Sequence, residues 1–302
     1  MIDRVAASSL LAFITSIGLI SNAFALYAVY RFKHLHNTFG ALCAVIGAAN
    51  FWDSLIHLLW SAYGPYLLEF YPFGEAIIRG HPGKIVGQIS SFFLDLKGYA
   101  HLGYYSIASD TTVTSAFVTI PISFAFIQVA PFFWTDDCYL LYSSEMAIWE
   151  YADTPCNNFY SFHIDFILPV CVYCCIIVLD IITVFTLRKA LDISQWNQTL
   201  KEKRKLEIGF FIQSLFQMGL SLLAYASFFG FSQYATDDWT LFGTTTVVWA
   251  SVHSVDGVIM ASFHARKAFI KWQSKITPAS SVNGETAMKS LRNGEAKFVV
   301  QQ

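Results

Sequence analysis

The sequence predicts an all-α membrane protein, a bundle of seven transmembrane helices. Three observations carry this reading. Charged residues make up only 13% of the chain, about half the ~25% of an ordinary soluble domain. Apolar stretches of the ~20 residues that span a bilayer recur along the chain, and the mean hydropathy is +0.48. The last such stretch nevertheless carries His253 and Asp256. Trp249, His253, Asp256 and Met260 follow i, i+4, i+7, i+11 spacing, which is one face of a helix. An ionisable group at membrane depth costs about 3 kcal/mol or more unless it faces protein or water. That helix therefore needs partners, with its polar face turned inward.

The first span covers 8–30 and holds Asn22 in its second half. The apolar run there exceeds the ~7–15 residues of a signal-peptide core, so it reads as a span. Span 2 covers 39–63, stops at Gly64-Pro65, and carries Asn50 and Asp53 three apart on one face. Spans 3 and 4 both fit between Lys84 and Trp134, at 85–107 and 112–134, with a very short connection. Span 3 holds Asp95, Lys97 and His101. An acidic loop follows at 135–160, with Cys138 and Cys156 and no basic residue. Span 5 covers 162–187 and holds Asp180; a loop at 188–205 ends in Lys-Glu-Lys-Arg-Lys. Span 6 covers 208–231 and span 7 covers 241–264. Residues 1–264 thus form the seven-span domain. In 265–275, basic residues alternate with Phe269, Ile270 and Trp272, the pattern of a short interfacial amphipathic helix. The polar stretch 276–302 reads as a disordered tail. No internal repeat is visible, which weighs against a transporter built from inverted repeats.

Seven spans put the termini on opposite sides. Of the 19 basic residues, all but Arg4, Arg79, Lys84 and Lys97 fall on one side. The positive-inside rule makes that side cytoplasmic, with the N-terminus outside and the C-terminus in the cytoplasm.

No phosphate-binding loop, nucleophile elbow or zinc-protease motif is present, and the His and Cys spacings do not suit a metal. No catalytic residue, metal site, cofactor or nucleic-acid contact is implied, and no ligand-binding residue is picked out. The intramembrane polar set is Asn22, Asn50, Asp53, Asp95, Lys97, His101, Asp180, His253 and Asp256. These are either a network that repacks on activation or static interhelical bonds worth about 0.6 kcal/mol each. His101 and His253 read first as satisfied core histidines. Lys97 calls for a carboxylate, with Asp53 and Asp256 the candidates. Cys138 and Cys156 share the oxidising side; a disulfide there, rather than two free thiols, ties the acidic loop over the bundle mouth. Lys201, Lys203, Arg204 and Lys205, with Arg266 and Lys267, suit the cytoplasmic edge and contact with anionic lipid or a partner.

Several stretches resemble one family. They are I-G-L-I-S-N ending at Asn22, N-T-F-G-A-L-C ending at Cys43, C-Y-L-L-Y beginning at Cys138, and W-E-Y-A-D-T-P-C ending at Cys156. The stretch F-Y-S-F-H-I-D-F beginning at Phe159 follows, and W-A-S-V-H-S-V-D-G beginning at Trp249 is the most specific. Across nearly all of 8–271 the chain resembles a nematode serpentine receptor of class x, a branch of the rhodopsin-like G-protein-coupled chemoreceptors. The resemblance implies a small-molecule ligand, a heterotrimeric G protein, and a place in the plasma membrane of sensory-neuron cilia. One departure stands out. The family carries an Asn-Arg-aromatic motif at the inner end of span 3, whereas here His101-Leu102 runs into Gly103-Tyr104-Tyr105-Ser106 and no arginine lies between Lys84 and Arg188. Span 3 and the second cytoplasmic loop are therefore expected to be truncated, which removes part of the G-protein contact. The expected function is a chemosensory receptor. The alternatives are a non-signalling or altered receptor-like membrane protein, and a transporter or channel using Lys97 and Asp256.

Overall fold

The computed structural model describes residues 2–32, 35–36, 38–64, 82, 84–86, 89, 92, 111–134, 137–143, 145–193 and 198–276. Among them, five helices are long and apolar enough to cross a membrane: Arg4–Arg31, Gly40–Ala62, Pro155–Thr186, Phe211–Tyr234 and Asp238–Phe263. They correspond to spans 1, 2, 5, 6 and 7. Span 4 is the helix Thr111–Trp134. The expected span 3, with Asp95, Lys97 and His101, lies almost wholly outside the described residues, as does the tail from 277.

Span 1 shows how the bundle is built. Asp3 caps its start, accepting from the Val5 and Ala6 amides at 3.0 and 3.2 Å, which satisfies two of the amides a helix start leaves open. Its buried face reads Ala7, Ser8, Leu11, Thr15, Gly18, Ser21, Asn22, Ala25, Ala28. Phe13, Ile17, Ile20, Phe24 and Tyr27 are exposed on the other face. In a membrane, large apolar groups gain nothing by leaving lipid, so small residues take the interface and let helices approach closely. Span 4 follows the same rule. It buries Pro121, Ala125 and Val129 and exposes Ile120, Phe124, Phe126 and Ile127, and Ala125 packs on Ala49 of span 2.

The acidic loop is more ordered than its composition suggests. Strands β1 (Leu140–Ser143) and β2 (Ile148–Tyr151) pair antiparallel, Leu140 opposite Tyr151 and Ser143 opposite Ile148. Ala147 closes the turn at φ 57°. Tyr142, Ala147 and Ile148 bury against Ile2 just before the first span, Ala7 and Leu11 within it, Ala62 of the second and Phe242 and Ala250 of the last. The hairpin thus seats on one end of the bundle, called the hairpin end below.

Two boundaries differ from expectation. Span 5 begins at Pro155, not 162, because Thr154 caps it and Pro155 occupies the first helical turn, where its missing N–H costs nothing. The loop expected at 188–205 shrinks, with helices running to Ile193 and resuming at Gln198. No Gly or Pro interrupts that stretch, and its Leu, Lys, Arg and Glu are strong helix formers, so Lys201 to Lys205 sit on helix. Near the hairpin end, spans 2, 5, 6 and 7 each include a π-helical stretch: His57–Ala62, Tyr160–Ile167, Ala226–Gly230 and Gly243–Val247. Such widened turns are common at functional sites. The chain divides into two units at 262–263; the described part of the second is the end of the helix Val248–Ile276.

Candidate functional site

Span 2 presents Asn50, Asp53, Ser54, His57 and Ser61, all buried. They follow i, i+3, i+4, i+7, i+11 spacing and so share one face. Span 7 turns His253, Ser254, Asp256 and Met260 inward, and all are buried. The two faces meet at Asp53. Its Oδ2 lies 3.1 Å from His253 Nε2 and 3.7 Å from His57 Nε2. The other nitrogen of His253, Nδ1, is 2.8 Å from Asn50 Oδ1. The Trp249 ring stacks on His253 at 6.2 Å, and its own neighbours are Tyr225 and Phe228 of span 6.

The polar chain continues to the hairpin. His57 Nδ1 is 3.4 Å from Ser61 Oγ. Ser61 Oγ accepts from the indole N–H of Trp149 at 3.2 Å, and the Ser61 carbonyl accepts from the Tyr142 hydroxyl at 3.1 Å. Trp149 also meets the edge of the His57 ring at 6.2 Å. Burial pushes the Tyr142 phenol above its usual range, so it stays a donor. Asn50, His253, Asp53, His57, Ser61 and Trp149 thus lie in a row of polar contacts from the bundle interior to the hairpin, the Asp53–His57 step of 3.7 Å being longer than a hydrogen bond.

Span 1 is stapled to span 7 beside this line. Asn22 Nδ2 donates to the His253 carbonyl at 3.1 Å and Ser21 Oγ to the Ser254 carbonyl at 3.2 Å. Ser254 Oγ donates to the Ile14 carbonyl at 2.9 Å. Glycines make the approach possible. A Cβ on Gly18 would lie 2.5 Å from Ser254 Oγ and 2.7 Å from Ser54 Oγ. One on Gly257 would lie 2.5 Å from Ser21 Oγ and 2.7 Å from Asn22 Cγ.

Of the residues expected from sequence, Asn22, Asn50, Asp53 and His253 come together. Asp256 is fully buried one turn from His253, and Asp180 is buried on span 5. Asp95, Lys97 and His101 lie outside the described residues, and so does the expected partner for Asp53 or Asp256. Lys201, Lys203, Arg204, Lys205, Arg266 and Lys267 lie on helices whose side chains there are not described. Cys138 and Cys156 form a disulfide. No cluster of three or more metal-ligating side chains occurs among the described residues.

Sequence reasoning missed His57, Ser61, Tyr142 and Trp149. His57 was within reach, four residues past Asp53 on the same face. It also missed a second buried polar face on span 6, Gln213, Gln217 and Ser221, in which Gln213 Nε2 approaches Cys43 Sγ at 3.9 Å.

Comparison with known proteins gives three matches. The family described as serpentine-type seven-transmembrane G-protein-coupled chemoreceptor Srx matches residues 13–264. Serpentine receptor class X 45 of Caenorhabditis elegans is 25% identical, over 87% of this chain and 79% of that protein. The crystal structure of squid rhodopsin superposes with a TM-score of 0.64 at 12% identity, over 87% of this chain and 78% of that one; at that identity the likeness shows the seven-helix fold alone.

Proposed function

Because the chain belongs to the Srx family of serpentine seven-transmembrane chemoreceptors, a receptor family and not an enzyme family, we propose that it detects a small molecule at the hairpin end and signals through a heterotrimeric G protein. It is a multi-pass membrane protein of the G-protein-coupled receptor fold. The observation that supports the reading is the row of polar contacts from Trp149 of the hairpin to His253 and Asn50 in the bundle, its longest step the 3.7 Å between His57 and Asp53. A ligand that displaces the hairpin or spans 5 to 7 changes this line, and the line reaches the helices that must move. The polar set Asn22, Asn50, Asp53, His253 and Asp256 is the part that repacks.

The proposed orientation has the N-terminus and hairpin outside and the tail in the cytoplasm, as the basic residues require. Lys201, Lys203, Arg204, Lys205, Arg266 and Lys267 then face anionic lipid and the G protein. Residues 1–264 are the receptor domain, 265–275 an interfacial segment and 276–302 a cytoplasmic tail. The setting is the plasma membrane of sensory cilia.

The second reading rests on the missing arginine. With none between Lys84 and Arg188, the chain is an altered, non-signalling relative. One experiment separates the two. Cells express this chain, and a version with an Asn-Arg-aromatic motif and basic loop inserted after His101, and cAMP and calcium are read across a broad odorant panel. A response from this chain itself, blocked by removing the G protein, supports the receptor reading; a response only from the second version supports the altered relative. Ligand-gated current that survives loss of the G protein points to a channel. Silence from both versions at the cell surface overturns the proposal.

A further inference from the structure

On span 6, two side chains of the buried polar face lack the hydrogen bonds that burial demands. Gln213 and Gln217 are both 0% exposed and, four residues apart, are neighbours on the helix surface. Gln213 Nε2 approaches Cys43 Sγ of span 2 at 3.9 Å, and a thiol sulfur is a weak acceptor. Gln213 Oε1 has no partner, and neither Nε2 nor Oε1 of Gln217 has one. Turning the side chains does not cure this. Whichever way either amide is flipped, a direct bond between the two leaves one end of Gln217 unmet. Ser221, one turn on, does not supply the missing donor, since its hydroxyl donates to the Gln217 backbone carbonyl at 3.1 Å. An amide buried without partners is costly, so such groups in folded proteins are met by protein or by ordered water.

We propose that Gln213 and Gln217 form a buried water site on span 6, a molecule of water bridging their carboxamides where span 6 meets spans 2 and 5. The water accepts from Gln217 Nε2 or donates to Gln217 Oε1, and donates to Gln213 Oε1. Two to four polar partners are what a buried water needs. The chemistry of the lining selects water over an ion. A cation here faces the N–H groups of Gln217 as well as the two amide oxygens, and an anion faces those oxygens; a molecule that both donates and accepts suits all three atoms. A bridging water is nearly as good a partner as a direct bond and can exchange one partner for another. Span 6 can therefore shift against its neighbours at this seam without stranding a buried amide.

The surroundings fit a small polar site in an apolar wall. Ser214, buried three residues before Gln217, borders it. On the other side the Tyr173 hydroxyl of span 5 shares a hydrogen bond with the Ser221 side chain. Between them, Met218 packs with Tyr173 and Ile176, flanked by Leu215 and Leu222. Asp95, Lys97 and His101 of span 3 lie outside the described residues, and a side chain from that span is the competing partner that the experiment separates from water.

The test uses the full chain, uniformly 15N-labelled, in lipid nanodiscs. Water-edited solid-state NMR passes proton magnetisation from water to nearby N–H groups. The Gln217 carboxamide signal is the one that Gln217→Leu removes; Gln217→Asn, which keeps a carboxamide, identifies it by the same loss if the leucine variant does not fold. The expected result is that this fully buried amide receives magnetisation within about threefold of the rate at Gln233, which is exposed. Gln213→Leu, which removes one side of the bridge, should at least halve the transfer to Gln217. A Gln217 amide as dry as the buried backbone amides of span 6 overturns the proposal, whether Gln213 or a span 3 side chain then meets it. No readout involves the odorant or the G protein, so failure here leaves the receptor reading untouched.

Discussion

The Asp53 carboxylate and the His253 ring meet across spans 2 and 7, Oδ2 to Nε2 at 3.1 Å, with side chains only 3% and 2% exposed. The strength of this contact separates a working network from ordinary interhelical glue. Interhelical polar contacts in membranes average about 0.6 kcal/mol in double-mutant cycles. Removing one partner of a buried polar pair costs about 1–3 kcal/mol, and more where the group left behind is charged. Asp53→Ala and His253→Ala should each cost about 3 kcal/mol in detergent unfolding, and the double variant much less than the sum. A coupling near 0.6 kcal/mol or below would mean static packing only.

The approach of span 1 to span 7 rests on Gly18 and Gly257, each placed where a Cβ would lie 2.5 Å from a serine oxygen of the other helix. Overpacking typically costs about 1–3 kcal/mol. Gly18→Ala and Gly257→Ala should each lower stability by that amount and reduce surface expression. Gly219→Ala, where a Cβ meets nothing within 4 Å, should leave both unchanged. Thermal unfolding and surface labelling check this. An effect of Gly219→Ala equal to the other two would point to helix propensity and not to the span 1–span 7 contact.

The helical class and most span limits were legible because membrane burial leaves a coarse signal, long apolar runs that few charges interrupt. The inward face of span 7 was legible because Asp256 and His253 are too costly to face lipid. The hairpin was not legible. Its strands are four residues each, and the turn is closed by an alanine at positive φ instead of the Asn-Gly or Asp-Gly that marks a tight hairpin. The Gly18–Ser254 and Gly257–Ser21 contacts were hidden because a glycine in an apolar run looks the same whether it faces lipid or a neighbour. The imidazoles beside Asp53, His57 four residues along the same helix and His253 on span 7, were not read as its neighbours, and Lys97, the expected partner, lies outside the described residues.

Asp237, just before the last membrane-spanning segment, caps the short helix Asp238–Phe242 with which that segment begins. Its carboxylate accepts from the Thr240 hydroxyl at 2.6 Å and the Thr240 amide at 2.9 Å. These bonds, the hydroxyl first, hold the carboxyl below its ordinary range. A carboxylate with a depressed value contributes order above its unfolded range and loses it as pH falls through the folded value. Protection of the Thr240 amide from exchange, corrected for intrinsic rate, should therefore hold from pH 7 down through about pH 4, the usual aspartate range, and drop only below it. Asp237→Ala should abolish the protection at every pH. Loss of protection in the wild type already at pH 5 would contradict the cap.

The hairpin is fastened at its base in two ways, and the disulfide is the one that redox conditions can undo. Cys138 and Cys156, 18 residues apart in sequence with Cα atoms 5.4 Å apart, join the entry to β1 with the first turn of span 5. Beside them Asn157, fully buried, accepts from the Tyr139 amide at 3.0 Å and donates to the Tyr139 and Ala152 carbonyls at 2.9 Å each. Closing a loop of about this length contributes roughly 3 kcal/mol by restricting the unfolded chain. The paired Cys138→Ser, Cys156→Ser variant should lose about 2–4 kcal/mol, and reductant should lower the wild type to the same level while leaving the variant unchanged. Asn157→Ala strands the Tyr139 amide, while the Tyr139 and Ala152 carbonyls keep the Ala152 and Thr154 amides, a cost of about 1–3 kcal/mol. Added to the cysteine variant, it should free the hairpin, read as dequenching or shift of the Trp149 fluorescence that Trp149→Phe removes. Wild-type protein whose unfolding is indifferent to reductant would mean that Asn157 and the apolar seat around Tyr142 hold the hairpin without the disulfide.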